Sequence, residues 1–313
     1  MTTIAPPRSY NIDASLLSAA VLLGASRVAN ASGDPPQVIE LTGTVRDFKE
    51  RTVPGGHPDF EREPDKGFGL YCGNVDLFLG ADGKPVFTGG GHKITSQWSD
   101  SEGRPIAPHM HNKRFDAAGA LVDDPGLGDD AGSASYSSQG GVQSADTFRQ
   151  WFRDELGVNL SKPLTLSFTR EGDGSYVFDD KDDPLYSSRG GFFPIEDGLF
   201  GNPGGNPDRN FHFTFELHTE FTYQADADQI FRFVGDDDVW VYIDGKLAID
   251  LGGVHAATEQ FVDLDRLGLE DGETCTLDFF FAERHRTQSN FRIETNLELA
   301  AGPSMPTATT PFD

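Results

Sequence analysis

Two strand-like segments flank three consecutive aspartates in the stretch Phe231-Arg-Phe-Val-Gly-Asp-Asp-Asp-Val-Trp-Val-Tyr-Ile-Asp-Gly-Lys-Leu247. The aspartates are Asp236, Asp237 and Asp238. Adjacent carboxylates repel one another by about 1 kcal/mol in water and by several kcal/mol near a protein surface. The fold must therefore keep the cluster solvated or supply a cation, and calcium is the hard divalent ion that best suits carboxylate oxygens.

Alternation of apolar and polar residues with a period of two dominates the chain around this stretch. The alternation is plainest from Phe211 to Tyr223, and this period is typical of half-buried β-strands. Asp82-Gly83 and Asp244-Gly245 each lie between apolar runs and are the residue pairs expected in tight hairpin turns. The sequence therefore predicts a mostly antiparallel, all-β fold. Shorter alternating runs begin at Ile39, Leu247, Cys275 and Phe291.

One helix is predicted, beginning after Ser144 as N-cap and ending near Gly157, which suits a left-handed C-cap. Its spacing predicts an apolar face that packs in the core. The region 98–141 is rich in Gly, Asp, Ser and Pro and predicts long loops, where recognition sites are common. The predicted apolar face consists of Phe148, Trp151, Phe152 and Leu156.

The charge balance argues against a nucleic-acid partner. Asp and Glu number 50 against 25 Lys and Arg, giving a net charge of −25, whereas phosphate binding needs a clustered excess of basic side chains. The acidity suits a solvating surface, divalent cations or a salty medium.

The ends of the chain predict a leader and a tail around one domain. The apolar stretch Ala14–Ala25, followed by Ala29-Asn30-Ala31, favours a signal peptide and cleavage site, with a degenerate leader as the alternative. Residues 1–36 are therefore interpreted as leader and linker, 37–300 as the folded domain, and 301–313 as a flexible tail rich in Pro and Thr. No other segment is apolar enough to cross a bilayer, so we expect a secreted or cell-surface protein without a transmembrane segment.

Cys72 and Cys275 are too few for a disulfide framework and lack metal-site spacing. A single bridge between them requires their strands to be neighbours, which the sequence leaves open.

No catalytic signature is present: the chain lacks a nucleophile elbow, a P-loop and the zincin and dinucleotide motifs. The best acid/base constellation combines Asp237, His255 and Glu283 with Arg284, which lie in loop-like places near strand ends. A structural ion pair between Glu283 and Arg284 explains those two residues better. We therefore expect a non-catalytic protein and keep a hydrolase only for contrast.

The aspartate pair followed by Ile243-Asp244-Gly245 resembles the core signature of PA14-type domains. Over the wider span Thr42–Leu299 the chain resembles the fibro-slime domain. The runs that carry this resemblance are Thr42-Gly-Thr-Val-Arg-Asp-Phe, His57-Pro-Asp-Phe-Glu, Gly191-Phe-Phe-Pro-Ile, Asn210-Phe-His-Phe-Thr-Phe-Glu-Leu-His-Thr, Gly235-Asp-Asp-Asp-Val-Trp-Val-Tyr-Ile-Asp-Gly-Lys-Leu, Asp250-Leu-Gly-Gly-Val-His, Phe281-Ala-Glu-Arg-His and Ser289-Asn-Phe-Arg-Ile-Glu-Thr.

The resemblance implies a PA14-like β-sandwich or barrel of the kind found in secreted and cell-surface proteins. In PA14 lectins two aspartates joined by a cis peptide chelate calcium with an Asn from a later loop, and the exposed ion binds sugar hydroxyls. Carried over to this sequence, the pair is Asp236 and Asp237, and the third ligand is Asn290.

Asp238 departs from the PA14 pattern, because a Gly usually follows the pair there. It is an additional candidate ligand or an acceptor that orients one. His255, Glu283 and Arg284 are candidates for the rim of a ligand-binding site. The alternative without an ion is that Asp236 or Asp238 caps the turn by hydrogen bonding to backbone amides.

The leading hypothesis is a calcium-dependent carbohydrate-binding module for adhesion to a glycan or matrix ligand. The alternative is an extracellular structural or signalling module that binds protein partners and uses calcium only for rigidity.

Overall fold

The computed structural model describes residues 35–300. The predicted signal peptide, its cleavage site and the tail 301–313 lie outside the described residues, and the limits of the domain stay a prediction.

The described chain is built of β-strands with two short helices, as the sequence predicts. The helices are α1 (Ala145–Arg149) and α2 (Pro184–Arg189), and 3-10 turns lie at Pro108–Met110, Pro125–Leu127 and Leu264–Leu267. The strands are β1 (Val38–Phe48), β2 (Tyr71–Cys72), β3 (His92–Ser96), β4 (Trp98–Ser99), β5 (Pro105–Ile106), β6 (Lys113–Phe115), β7 (Leu121–Asp123), β8 (Ser133–Ser137), β9 (Asn159–Arg170), β10 (Tyr176–Asp179), β11 (Phe213–Thr222), β12 (Ile230–Gly235), β13 (Asp238–Ile243), β14 (Lys246–Leu251), β15 (Thr258–Asp263), β16 (Thr274–Glu283) and β17 (Phe291–Thr295).

Ten strands form one antiparallel sheet in the order β14-β13-β16-β11-β1-β9-β10-β17-β12-β15. Its two edge strands approach each other, because the backbone N–H of Asp250 donates to Oε1 of Gln260 at 2.8 Å and Nε2 of Gln260 donates to the carbonyl of Asp250 at 3.2 Å. The sheet therefore nearly closes into a barrel, and the expected all-β, PA14-like architecture is confirmed. The remaining strands form small sheets in the region 71–137.

The alternating strand β11 shows how the core is divided. Phe213, Phe215 and Leu217 are buried on the inner face of the barrel, as their period-two spacing predicts. Thr214 and Glu216, on the opposite face, are buried too, so the expectation of a half-buried strand is wrong for this half of β11. A second apolar layer causes this burial, and it contains Val75, Phe87, Val142, Phe148, Trp151, Phe152, Trp240 and Phe280.

The predicted helix begins correctly but ends early. The Ser144 side chain accepts a hydrogen bond from the backbone of Thr147 as N-cap, yet α1 ends at Arg149 instead of near Gly157. The carbonyls of Gln150, Trp151 and Arg153 accept hydrogen bonds from side chains instead of from helical N–H groups. Nδ2 of Asn159 donates to the carbonyls of Gln150 and Arg153, and the hydroxyl of Thr214 donates to the carbonyl of Trp151.

This early end leaves one predicted core residue outside the core. Phe148, Trp151 and Phe152 are buried as expected, whereas Leu156 is fully exposed.

The predicted hairpin at Asp244-Gly245 is confirmed between β13 and β14, where both residues adopt positive φ angles of 49° and 71°.

Cys72 and Cys275 are both free and buried. The disulfide left open by the sequence does not form because β2 pairs with β3, whereas β16 pairs with β11 and β13.

Within residues 35–300, no helix combines the length and apolar character required to span a membrane.

Candidate metal centre

The aspartate pair lies in the link between two strands of the large sheet. β12 ends at Gly235 and β13 begins at Asp238, so Asp236 and Asp237 occupy the connection, and the peptide bond between them is cis, as the resemblance implies. A Cβ atom at Gly235 would lie 2.3 Å from the carbonyl oxygen of Asn290. Only glycine therefore lets β12 approach β17 closely enough at this point.

Asp236 and Asn290, two of the predicted ligands, are brought into direct contact. The carboxylate of Asp236 accepts hydrogen bonds from the backbone N–H of Asn290 at 2.5 Å and from its Nδ2 at 2.8 Å. The backbone N–H of Asp236 donates in return to the carbonyl of Asn290 at 3.2 Å. Burial raises the pKa of Asp236, although the hydrogen bonds from Asn290 oppose the shift.

Asp237 is held by two loops from opposite sides. Its Oδ1 accepts a hydrogen bond from the backbone N–H of His255 at 3.2 Å, and its Oδ2 accepts one from the backbone N–H of Arg284 at 3.3 Å. Burial, followed by the charge of Asp236, raises the pKa of Asp237 well above its usual range. An ionised Asp237 therefore needs a positive partner beyond these two amides.

Asp238 has a different partner from the other two aspartates. Arg284 donates to it from Nε at 2.5 Å and from Nη2 at 3.2 Å, and the backbone N–H of Gly253 donates at 2.6 Å. The expected ion pair between Glu283 and Arg284 is therefore wrong: Arg284 pairs with Asp238. Adjacent residues of an extended chain point to opposite sides, which separates the Glu283 and Arg284 side chains.

Glu283 is the least compensated carboxylate of the site. Its side chain is completely buried, its Oε1 accepts a hydrogen bond from the backbone of His285 at 3.4 Å, and its Oε2 has no hydrogen-bond partner among residues 35–300. Burial, followed by the charges of Asp237 and Asp236, raises the pKa of Glu283 well above its usual range.

Asp180 belongs to the same group of acids, and the sequence did not single it out. It follows β10, is buried, and accepts a hydrogen bond from the backbone N–H of Phe291 at 2.8 Å. Burial raises the pKa of Asp180 to about 6, and the charge of Asp236 adds to the shift. Asp180 lies in an acidic run at residues 179–183, so only the pairing of β10 with β17 reveals which acid faces the site.

The electrostatic balance of the site is negative. Asp180, Asp236, Asp237 and Glu283 are buried carboxyl groups whose charges act on one another, while the buried guanidinium of Arg284 is committed to Asp238. Removing such groups from water without a counter-charge is costly, so they must take up protons or bind a cation. Carboxylate and amide oxygens are the donor set that a hard cation such as calcium prefers.

The acid/base constellation considered from the sequence does not assemble. His255 contacts Asp237 through its backbone, while its ring Nδ1 lies 2.8 Å from the carbonyl oxygen of Ala256. Its buried Nε2 has no hydrogen-bond partner within the described part of the chain. The imidazole is therefore not hydrogen-bonded to either Asp237 or Glu283, and the three side chains do not form a proton-transfer chain.

Comparison with known proteins confirms the resemblance drawn from the motifs. Residues 203–307 match the PA14 domain family. Protein psiD of Dictyostelium discoideum is 33% identical over 273 residues, covering 85% of this chain and 43% of that protein. Protein psiC of the same organism is 39% identical over 172 residues, covering 52% of this chain and 31% of that protein. The chain thus spans less than half the length of these two relatives.

Among solved structures, a GH31 alpha-xylosidase from Xanthomonas citri aligns over 85% of this chain and 24% of that chain, at 9% identity and a TM-score of 0.16. This score is too low to carry an argument about fold or chemistry.

Proposed function

We propose, on the premise that residues 203–307 match the PA14 domain family, that this chain is a calcium-dependent carbohydrate-binding module that acts in adhesion outside the cell. PA14 domains are carbohydrate-binding and adhesion-type modules that are typically extracellular. The proposed ligand is a glycan or another component of an extracellular matrix, and the proposed location is secreted or at the cell surface.

The observation that carries the calcium proposal is the unpartnered carboxyl oxygen of Glu283. Its Oε2 is buried without a partner in residues 35–300, beside Asp236 and Asp237, whose pKa values are also raised by burial. A divalent cation bound by Asp236, Asp237 and Asn290 balances two of these negative charges and lowers the cost of ionising the carboxyl groups beside it. The donor set therefore fits calcium.

Each side chain has a distinct task in this proposal. Asp236 and Asp237 supply carboxylate ligands, and Asn290 supplies its amide oxygen. Its amide would then turn from the orientation in which Nδ2 donates to Asp236; the orientation of such an amide is inferred from its hydrogen bonds. When bound, calcium supplies positive charge and open coordination positions for sugar hydroxyls.

Asp238 and Arg284 act as support in the same proposal. Arg284 neutralises Asp238 and also presents its backbone N–H to Asp237. We therefore assign Asp238 as the partner that holds Arg284 in place, and not as a calcium ligand. The rim of the site is formed by partly exposed His255 and Asn290, next to exposed Thr287 and Gln288. These residues are where a sugar would approach.

A second candidate function is a structural or signalling module that binds a protein partner and uses calcium only for rigidity. The deep burial of the carboxylates favours it: Asp236 is 2% exposed and Asp237 is 4% exposed. An ion held this far inside stabilises the loops around it whether or not a sugar ever reaches it.

A glycan array probed with the full chain separates these functions. We expect glycan binding that is abolished by EDTA, restored by calcium, and lost in Asp237→Ala. The matched control is Asp226→Ala, which removes an exposed aspartate from a turn. If EDTA lowers the melting temperature but no glycan binds under any condition, the structural module is correct and the carbohydrate proposal fails.

A further inference from the structure

A second cluster of potential metal ligands lies next to the aspartate site but uses different residues. Glu50, Glu61 and His212 each offer a ligand atom, and these three atoms lie within 4.8 Å of one another. The backbone N–H of Glu61 donates to the carbonyl of Arg284 at 2.8 Å, which places the cluster beside the strand end that carries Glu283. His212 is 151 residues from Glu61 in the sequence, so only the fold brings it to the two glutamates.

The imidazole of His212 is held in a defined position. Its ring is 1% exposed, it lies edge-on to Phe60 with the ring centroids 6.3 Å apart, and its backbone N–H donates to Oδ1 of Asn210 at 2.9 Å. Its Nε2 lies 2.9 Å from Oε1 of Glu61. This contact is a hydrogen bond, and a small ion with bonds of about 2.0–2.2 Å takes the place of its proton once the two atoms move slightly apart.

The second oxygen of Glu61 lies beside another histidine. Oε2 of Glu61 lies 2.7 Å from Nδ1 of His285. A partner on the outer side of a ligating carboxylate fixes its direction, as is usual around bound metal ions. His285 is close enough to take this outer position once Glu61 binds an ion.

The guanidinium of Arg286 places a positive charge beside the two glutamates of the cluster. Its Nη2 lies 2.7 Å from Oε2 of Glu50, and its Nε lies 3.5 Å from Oε1 of Glu61. The Arg286 side chain is 33% exposed, in contrast to the fully buried Arg284. Because the Arg286 side chain is partly exposed, its guanidinium has solvent beside it to move into when a metal ion takes its place.

We propose that Glu50, Glu61 and His212 bind a divalent first-row transition-metal ion of the zinc type. A mixed set of one imidazole and two carboxylates suits zinc, whereas the all-oxygen set around Asp236 suits calcium. The ion displaces the guanidinium of Arg286 and ties together the end of β1, the following loop and the start of β11. The inference does not depend on calcium binding or on carbohydrate recognition.

Titration of zinc into the untagged full chain tests the proposal, with calcium in excess so that the aspartate site does not compete. We expect about one equivalent of zinc to bind and to be released by a chelator. Glu50→Gln is expected to weaken zinc binding by about 10-fold or more. The matched control Glu220→Gln changes an exposed glutamate on β11 and is expected to leave zinc affinity unchanged.

Arg286→Gln gives the opposite expected effect and separates a metal site from a purely structural ion-pair cluster. Removing the competing guanidinium is expected to tighten zinc binding by about 5-fold, the worth of one partly exposed ion pair. Failure of the chain to bind zinc while Arg286→Gln only lowers the melting temperature would overturn the proposal. So would zinc binding that neither substitution changes.

Discussion

Arg284 is bound to Asp238 by two hydrogen bonds, from Nε at 2.5 Å and from Nη2 at 3.2 Å, with both side chains almost fully buried. This ion pair neutralises Asp238, one of the three adjacent aspartates whose carboxylates are expected to repel one another. Asp236 and Asp237 remain, joined by Glu283 from β16. The cluster is thus a neutralised pair beside a group of acids that still needs a cation.

Asp238→Asn is expected to destabilise the fold without removing calcium binding. Deleting one partner of a buried ion pair leaves an uncompensated charge and typically costs about 3–5 kcal/mol. Urea denaturation measures the loss in free energy of unfolding, and calorimetry under native conditions measures calcium stoichiometry. An exposed control, Asp226→Asn, should alter neither quantity. Unchanged stability together with lost calcium binding would instead make Asp238 a ligand.

Glu283→Gln is expected to raise the melting temperature of the calcium-free protein. Burial, followed by the charges of Asp237 and Asp236, raises the pKa of Glu283, so its ionised form is disfavoured in the folded protein, and the substitution removes this cost. It is also expected to reduce the rise in melting temperature that calcium produces, because less negative charge then favours the ion. Differential scanning calorimetry with EDTA and with calcium measures both effects. The account of the site is wrong if Glu283→Gln lowers the melting temperature in EDTA and leaves the calcium effect intact.

Gly235→Ala is expected to disrupt the site without changing any charge. The added Cβ would lie 2.3 Å from the carbonyl oxygen of Asn290, so β12 and β17 must separate and Asn290 moves away from Asp236. We expect a loss of stability and of calcium affinity, measured by thermal melts and titration. Gly172→Ala is the matched control because a Cβ there meets no atom within 4 Å. Normal calcium affinity in Gly235→Ala would show that Asn290 is not a ligand.

Glu216 gives the fold a defined dependence on pH. Burial alone would raise the pKa of Glu216, but the hydrogen bond from His218 and the charges of Arg46 and Lys84 outweigh burial and lower it from 4.5 to about 2. Because the folded-state pKa is depressed, this stabilisation is fully present above pH 4.5 and is lost as the pH falls toward 2. Lowering the pKa of Glu216 from 4.5 to about 2 corresponds to about 3 kcal/mol of stabilisation of the folded state.

Glu216→Gln should therefore lower the free energy of unfolding by about 3 kcal/mol at pH 7 and by almost nothing near pH 2. Denaturant melts at a series of pH values measure this difference. Glu220→Gln on the same strand is exposed and should show no such trend. A difference between Glu216→Gln and the parent that does not change with pH would contradict the assigned ion pairs.

The sequence was sufficient for the fold class because period-two alternation and the Asp244-Gly245 turn are local signals. It also singled out Asp236 and Asp237, whose neighbours carry a specific motif, and their role as metal ligands stays a prediction. It failed at the end of α1, where side chains of distant Asn159 and Thr214 capture the carbonyls that would continue the helix. Leu156 consequently lies in solvent, which no local pattern foretells.

Which side chains pair with one another in the site depends on contacts between distant segments of the chain. These pairings could therefore not be predicted from the sequence. Arg284 follows Glu283 directly, so the sequence suggested that the two pair, but the fold turns Arg284 toward Asp238. Asp180 approaches the site only because β10 pairs with β17. Glu61 and His212 also meet only in the folded chain.

The most direct measurement is a calorimetric titration of calcium into the full chain, alongside the double variant Asp236→Asn/Asp237→Asn. We expect heat of binding at a single site in the parent protein and none at that site in the variant. Absence of heat in the parent, or equal heat in both proteins, would contradict a calcium site at the aspartate pair.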